Sequence, residues 1–359
     1  MITLFSFALW LLSLRSITSD VVQFELEVKF SDSDRSKYLA VDLTTSESFV
    51  FDYRAFNKSH VDAFDPSASK TFKKISDSFK ASYFTPANSQ NMTVQGFLGA
   101  DVINTTGKVL IGDFAVVNWA DGKGVLNSID GSEKAGRVGL SRAKATHVDL
   151  RSAIFAAQKE KNLCLAIFRF DDEILTAVKF GKPYYEPEEV ITQFKAADNN
   201  NGHWQVPVTS VEAGGYKYQV GTPGILSTST DQIVFPTPIF NSVVRALKAT
   251  LDKALNAYVV DCSNKEILKI GVNSKLFEII PASYTKQVGQ KCVLRISPTA
   301  QKAIVLGGPY FMYNGVCLNY ADFTVTLYKP EDYNLKKLSN MNQSQRRRGI
   351  QNIRRVKVA

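Results

Sequence analysis

The sequence contains few of the residues that most often bind metal ions. It has three histidines, His60, His147 and His203, and four cysteines. No two cysteines form a C-x-x-C pair, and the histidines do not have the short spacing of a zinc site. The chain also lacks the G-x-S-x-G sequence that carries the nucleophile of many serine hydrolases. We therefore predict no bound metal ion and no cofactor.

Long apolar runs are also scarce, and the most marked one lies at the N-terminus. An apolar stretch, Leu4–Leu12, is followed by small polar residues suited to signal peptidase, although no Lys or Arg precedes it. The stretch is shorter than the roughly 20 residues needed to span a bilayer. We predict a signal peptide that is cleaved between Ser19 and Asp20, with a short N-terminal anchor as the alternative. The mature chain is then extracellular and has no membrane span.

The cysteines and the glycosylation motifs agree with secretion. An even number of cysteines without zinc spacing favours disulfides, which form in the secretory pathway. Four N-x-S/T motifs are candidate glycosylation sites, at Asn57, Asn91, Asn104 and Asn342. Because such motifs are common by chance, we expect some of them to be unused.

Apolar and polar residues alternate along much of the chain, which predicts β-strands. Phe24–Phe30 and Phe323–Tyr328 alternate strictly. Helical spacing is confined to Leu150–Asn162 and to Pro238–Leu255, whose early proline and apolar face indicate a packing helix. With 359 residues, 45% of them hydrophobic, the chain can form two cores. We predict an all-β protein with a few helices.

Two distant segments of the chain resemble each other. YLAVDLTTSESFVF (Tyr38–Phe51) aligns without a gap with TPGILSTSTDQIVF (Thr222–Phe235). Each segment is followed by apolar residues around paired glycines, in GRVGLS and VLGGPYF. Similarity over so long a period predicts two related halves rather than a short-repeat solenoid.

The order of several motifs carries a family resemblance. After Asp42 and its apolar strand come FDPSASKTF, FKASYF, GFLGADVI, GRVGLS, a second STST element and VLGGPYFMYNGVCLNYAD. This order is similar to that of pepsin-like aspartic proteases, from about Phe24 to Tyr328. The resemblance implies two β-lobes, an inter-lobe cleft that binds peptide or protein, and a hairpin flap above the cleft.

The resemblance divides the chain into four parts. Residues 1–19 are the signal peptide, residues 20–170 the N-terminal β-lobe with the flap, and residues 171–329 the C-terminal β-lobe. Residues 330–359 form a basic tail that we predict to be disordered. We expect a monomer, and nucleic acid is not an expected ligand.

The catalytic residues of the family are only half present. Aspartic proteases use two close carboxylates that share one proton, one to activate water and the other to polarise the scissile carbonyl. The alignment retains the first as Asp42, whereas Ser227 replaces the second, and a hydroxyl cannot act as the general base. Asp42 either lies at the floor of the cleft near Ser227 or is an ordinary turn residue. We favour the first location and predict an inactive homologue.

Positions next to both residues also depart from the family pattern. In the family a Thr and then a Gly follow each catalytic Asp; the Thr links the two loops and the Gly allows close backbone approach. Here Leu43 and Thr44 occupy these positions in the first loop, and Thr228 and Ser229 occupy them in the second. These departures support the prediction of inactivity.

The resemblance also assigns a flap residue. Tyr83 occupies the place of the tyrosine that covers substrate in the family, so it is a candidate substrate-binding residue. The glycine-rich tip expected after it is replaced by FTPANSQNM. An ordinary strand aromatic is an equally good interpretation of Tyr83.

The disulfide pairing follows from the resemblance as well. Cys262 and Cys292 lie where the family carries a disulfide, so we expect them to be bonded. Cys164 and Cys317 lie on strands expected near the boundary between the lobes, where a second disulfide would join the halves. The alternative for this second pair is two buried free thiols.

Three functions follow from these observations. The first is a secreted, inactive homologue that binds peptide or protein. The second is a weakly active aspartic-type endopeptidase. The third is a polyanion-binding protein that uses the tail, whose basic residues are Arg346, Arg347, Arg348, Arg354, Arg355 and Lys357 in a chain of net charge +9.

Overall fold

The computed structural model describes eight stretches of the chain: residues 24–30, 36–56, 62–85, 90–121, 135–170, 173–183, 185–330 and 353–357. The predicted signal peptide lies outside the described residues, as do the sequon residues Asn57 and Asn342 and the residues 86–89 at the tip of the predicted flap.

The described residues form 24 β-strands, five short α-helices and two 3₁₀ turns, Pro66–Ala68 and Pro187–Glu189. The first twelve strands are β1 (Glu25–Phe30), β2 (Lys37–Asp42), β3 (Phe49–Phe51), β4 (Lys73–Thr85), β5 (Gln90–Thr105), β6 (Lys108–Ala120), β7 (Gly136–Gly139), β8 (Asn162–Phe170), β9 (Glu173–Phe180), β10 (Val190–Lys195), β11 (Gln205–Ala213) and β12 (Tyr216–Leu226). The remaining strands are β13 (Ile233–Pro236), β14 (Thr250–Asp252), β15 (Ala257–Val260), β16 (Leu268–Val272), β17 (Lys275–Ile279), β18 (Thr285–Val288), β19 (Lys291–Leu294), β20 (Ile296–Thr299), β21 (Ile304–Leu306), β22 (Gly315–Asn319), β23 (Thr324–Tyr328) and β24 (Ile353–Lys357). The helices are α1 (Tyr53–Phe56), α2 (Leu150–Ala156), α3 (Thr237–Ala246), α4 (Pro281–Tyr284) and α5 (Gly308–Phe311).

These strands form four sheets. One seven-stranded sheet has the order β1-β2-β7-β3-β6-β5-β4, and another has the order β17-β16-β11-β12-β21-β13-β20. A four-stranded sheet (β14-β15-β19-β18) lies in the second half of the chain, and a six-stranded sheet (β10-β23-β22-β8-β9-β24) takes strands from both halves. The predicted all-β fold with two related β-lobes is confirmed.

The alternating segments form strands as predicted. In β1 the side chains of Leu26, Val28 and Phe30 are buried, whereas Glu27 and Lys29 are exposed. Successive side chains of a strand point to opposite faces, so one face of β1 contributes to the core and the other meets solvent. The second alternating segment forms β23 in the six-stranded sheet.

The predicted helices are shorter than their apolar spacing suggested. The helix expected over Pro238–Leu255 ends at Ala246. Lys248 adopts a left-handed backbone conformation (φ 55°), and the Ala249 N–H donates to the Val244 carbonyl, which closes the helix end. Glycine usually marks such an end, so the sequence, which has a lysine at this position, did not indicate where the helix stops. Likewise, the helix expected over Leu150–Asn162 ends at Ala156.

The internal repeat is visible in the strand topology. In the first half β2 pairs in parallel with β7, which pairs antiparallel with β3. In the second half β12 pairs in parallel with β21, which pairs antiparallel with β13. In each half, one strand (β7 or β21) therefore lies between a parallel and an antiparallel neighbour.

Both expected disulfides are present. Cys164 on β8 lies directly opposite Cys317 on β22, so this bond joins adjacent strands of the six-stranded sheet. The second bond joins Cys262 to Cys292 on β19 and closes a loop within the second half.

The basic tail differs from the prediction over five residues. Ile353–Lys357, expected to be disordered, forms β24 and pairs antiparallel with residues 173–177 of β9. The edge of a sheet offers unpaired backbone N–H and C=O groups, and the β-branched Ile353 and Val356 favour an extended chain.

None of the helices in the described stretches has the length and apolar character that a bilayer crossing requires.

Candidate active site

The candidate site lies where two equivalent strands, one in each half, come to an end. β2 ends at Asp42, and β12 ends at Leu226, immediately before Ser227. The backbone is held alike in both: the Val41 N–H donates to the Phe24 carbonyl, and the Leu226 N–H donates to the Trp204 carbonyl. The alignment that paired Asp42 with Ser227 therefore corresponds to matching backbone positions.

Each loop is packed against a glycine at the end of the neighbouring strand: Gly139 is the last residue of β7, and Gly307 directly follows β21. A Cβ added to Gly139 would lie 2.6 Å from the Glu47 carbonyl oxygen, and one added to Gly307 would lie 2.2 Å from the Gln232 carbonyl oxygen. No larger residue fits at either position without moving the loop. The paired glycines of the two motifs thus hold the loops close to their sheets.

The two loops contact each other at equivalent positions. The Leu43 N–H donates to Thr228 Oγ1 at 3.3 Å, and Thr228 Oγ1 donates to the Val41 carbonyl at 2.5 Å. Thr44 Oγ1 and Ser229 Oγ lie 3.4 Å apart. Thr228 therefore links the loops as the family threonine does, but Leu43 has no hydroxyl with which to make the reciprocal contact.

Ser227 is buried and belongs to a short chain of hydroxyl groups. Its Oγ lies 3.1 Å from Ser229 Oγ, which in turn is near Thr44. Thr44 Oγ1 donates to Asp42 Oδ1 at 2.6 Å. The route from Ser227 to Asp42 thus runs through two further hydroxyls, and a second carboxylate is missing from it.

Asp42 is buried, with 1% of its surface exposed, and both of its carboxylate oxygens are bound. Oδ1 accepts hydrogen bonds from the backbone N–H of Thr44 at 2.8 Å and from the Thr44 hydroxyl. Oδ2 accepts from Arg137 Nη1 at 2.6 Å, in an ion pair whose two side chains are almost fully buried. The charge of Asp42 is therefore balanced by a guanidinium inside the protein.

Sequence reasoning missed Arg137, although it lies in the GRVGLS motif. The residue lies on β7, opposite Ala40 of β2 and Phe49 of β3. Its counterpart in the second half is Val305, which lies opposite Ile225 and Val234. A charged residue where the repeat has a valine was the signal that would have identified it.

Tyr83 is buried beside this ion pair. Only 2% of its surface is exposed, its ring centroid is 5.4 Å from that of Phe49, and the Arg137 guanidinium carbon is 5.8 Å from its ring. Burial raises the pKa of the Tyr83 hydroxyl well above its usual range, against the opposing effect of Arg137. Within the described residues its hydroxyl has no hydrogen-bond partner. It therefore behaves as a core residue of the flap base.

Serine-type chemistry has no support in this geometry. In the described part of the chain, the hydrogen bonds of the Ser227 hydroxyl go to Ser229 and not to a histidine. His147 Nδ1 lies 3.4 Å from Glu47 Oε1. Burial lowers the pKa of His203 below its usual 6.5, while the negative charge of Asp42 opposes the shift.

The described residues also contain no group of three or more His, Cys, Asp or Glu side chains that could hold a metal ion.

The remaining site predictions concern glycosylation. Asn104 is exposed near the end of β5. Asn91 lies on the same strand, but its side chain is outside the described structure. Glycosylation at the four motifs stays a prediction.

Comparison with known proteins agrees with the motif order and the strand topology. The family model for eukaryotic aspartyl proteases matches residues 27–327, which include both loops, the flap strands and both disulfides. No curated protein sequence matches the chain significantly. Because the family model covers most of the chain and both halves of the repeat, the chain belongs to the eukaryotic aspartyl protease family.

Proposed function

We propose that the protein is a secreted aspartic-protease-like protein that does not hydrolyse peptides and instead binds a peptide or protein through its cleft or the surfaces of its lobes. The observation that carries this proposal is the buried ion pair between Asp42 and Arg137. The family mechanism needs a carboxylate that can share a proton with a second carboxylate and face a water molecule. Here one oxygen of Asp42 is bound by Arg137, the other by Thr44, and the second carboxylate is replaced by Ser227.

The residues that a ligand would meet at the loops support binding without cleavage. Thr44 and Ser229 are partly exposed, whereas Asp42 and Ser227 are buried. A peptide backbone that reached the loops would find neutral hydroxyl groups, which donate and accept hydrogen bonds but do not activate water near neutral or acidic pH. Binding energy used in this way stabilises a complex and produces no reaction.

The experiment uses the full chain secreted from eukaryotic cells. We expect no hydrolysis of denatured protein or of a random peptide library between acidic and neutral pH, and no retention by a statine-containing inhibitor column. The library should yield uncleaved peptides that are retained. Thr44→Trp should abolish this retention by filling the space next to the loops, whereas Lys253→Trp, on the exposed turn between β14 and β15, should not.

The outcomes separate the alternatives. Cleavage that Asp42→Ala abolishes would replace the proposal with a weakly active endopeptidase. Salt-sensitive retention on heparin that is lost when residues 330–359 are deleted would favour polyanion binding. Peptide retention that survives Thr44→Trp would move the ligand from the cleft to another surface.

A further inference from the structure

The outer face of the β5–β6 hairpin carries an unusual pair of apolar side chains. Val109 and Ile111 on β6 are 70% and 69% exposed, the largest values for any large hydrophobic residue in the described structure. They alternate with Leu110 and Gly112, which face the core, so both belong to the solvent face of the strand. Val102 lies directly opposite Ile111 on β5 and is only half-buried. We call Val102, Val109 and Ile111 the apolar stripe.

Asn104 lies in the same row as this stripe. It is directly opposite Val109 on β6 and directly opposite Lys29 on β1. Directly opposed residues of neighbouring strands have Cβ atoms about 4.5–5.5 Å apart. Asn104, Thr105 and Thr106 form one of the four sequons, and the Asn104 side chain is exposed.

The turn beside Asn104 holds it in this position. Thr106 and Gly107 form a two-residue turn and both have left-handed backbone conformations, with φ of 54° and 73°. The Thr106 hydroxyl accepts a hydrogen bond from Gln158 Nε2 at 3.2 Å. A group attached to Asn104 would therefore project from the solvent face of a well-defined hairpin, next to Val109.

We propose that Asn104 carries an N-linked glycan that lies over the apolar stripe and shields Val109 and Ile111 from water. Adjacent, strongly exposed apolar side chains favour aggregation unless something covers them, and a glycan is both bulky and solubilising. The apolar faces of its first sugar rings are within reach of a side chain directly across the ladder. The proposal requires entry into the secretory pathway, but it is independent of catalytic inactivity and of peptide binding.

The modification transfers a preassembled oligosaccharide from a lipid pyrophosphate carrier. The amide nitrogen of Asn104 forms a bond to the anomeric carbon of the sugar, and the bond between that carbon and the carrier oxygen breaks. The pyrophosphate leaves with the electron pair, and the amide nitrogen loses one proton. No oxidant or reductant takes part.

Occupancy is tested by glycopeptide mass spectrometry of the protein secreted from eukaryotic cells. The expected result is a glycan at Asn104. Unmodified Asn104 in a secreted protein that carries glycans elsewhere would overturn the proposal while leaving secretion intact. A chain that is retained in the cytosol without any glycan would overturn both.

Shielding is tested with variants that separate the glycan from the stripe. Asn104→Gln should increase binding of a hydrophobic fluorescent dye. It should also cause self-association through the exposed stripe, seen as a shift to an earlier size-exclusion volume although the glycan itself is lost. Thr106→Ser keeps the sequon and should leave both unchanged. Adding Val109→Thr and Ile111→Thr to Asn104→Gln keeps β-branched residues in the strand. This variant should bind as little dye as the unmutated protein and elute as a monomer. Dye binding and elution that do not change in Asn104→Gln, or that the two threonines do not restore, would contradict the shielding role.

Discussion

The two equivalent loops bury their polar residues in different ways. In the first half, Asp42 and Arg137 form a charged pair; in the second half, Ser227 and Val305 occupy the corresponding positions and are neutral. The backbone around both loops is similar: in each, a glycine lies close to the loop, and the strand that leads into the loop pairs in parallel with its neighbour. The comparison shows that the same loop geometry is compatible with a charged or a neutral interior, provided that each buried charge has a partner.

The largest expected effect comes from giving the first half the valine of the second. Arg137→Val leaves the Asp42 carboxylate buried without its partner, and removing one member of a buried pair costs about 3–5 kcal/mol of unfolding free energy. Urea denaturation measures this loss. Arg137→Met, which retains more side-chain volume, distinguishes the lost charge from the cavity.

The double variant Arg137→Val with Asp42→Ser copies both residues of the second half. It should lose much less stability than the sum of the two single variants, because no uncompensated charge remains. Additive losses would show that the pair is not energetically coupled.

The next effect concerns a disulfide that only the second half contains. The bond between Cys262 and Cys292 spans a sequence separation of 30 residues. Chain entropy gives it a value of roughly 3–4 kcal/mol. The double variant Cys262→Ser with Cys292→Ala should lower the urea midpoint by the corresponding amount. Free Cys262 in the mass spectrum of the unmutated protein, or an unchanged midpoint, would contradict this.

A smaller effect is expected at the contact between the loops. Thr228→Val removes the acceptor for the Leu43 N–H and the donor to the Val41 carbonyl. Leaving these buried backbone groups unpaired should cost about 1–3 kcal/mol. Thr228→Ser keeps the hydroxyl and is the matched control, with a smaller loss expected. Equal denaturation midpoints for the two variants would mean that the hydroxyl contributes nothing.

Stability should depend on pH through His203 in the second half and its interaction with Asp42 in the first. Burial lowers the pKa of His203 in the folded state, so the unfolded chain takes up the proton first as the pH falls. Stability is therefore complete above about pH 6.5 and decreases as the pH falls towards the folded pKa. His203→Gln should reduce this decrease in thermal midpoint. In the Arg137→Val, Asp42→Ser background the decrease should become larger, since the charge of Asp42 no longer favours protonation. If the thermal midpoint depends on pH identically in the unmutated protein, in His203→Gln and in the Arg137→Val, Asp42→Ser variant, His203 is not the group responsible.

No measurable change in catalysis is expected from making the second loop acidic. Ser227→Asp should yield no peptide hydrolysis at acidic pH, because Arg137 and Thr44 still bind Asp42 and the departures at Leu43 and Thr44 remain. A misplacement of about 1 Å can reduce a rate 100-fold. Adding Arg137→Val, Leu43→Thr, Thr44→Gly and Ser229→Gly to Ser227→Asp gives a better chance of activity. Robust hydrolysis by the single variant would show that the ion pair is harmless.

Local patterns in the sequence predicted the features that depend on neighbouring residues. Strict alternation identified β1 and β23, because the side-chain period of a strand is visible in a few consecutive residues. The gapless alignment of the two segments matched Leu43 with Thr228 and Thr44 with Ser229. In the structure, the two residues of each pair contact each other. Helix ends were less predictable, since Lys248 closes α3 where glycine would have been recognised.

The all-β fold, its duplication and the alignment of Ser227 with Asp42 could be read from the amino-acid sequence alone. The buried ion pair of Asp42 is visible only in the folded chain. Arg137 lies 95 positions away in sequence, and it reaches Asp42 because β2 and β7 are parallel neighbours in one sheet. Only packing likewise decided that Tyr83 is enclosed beside Phe49 and that Val109 lies opposite Asn104. Strand order and register bring distant residues together, and no periodicity within one segment encodes which partner a charge will find.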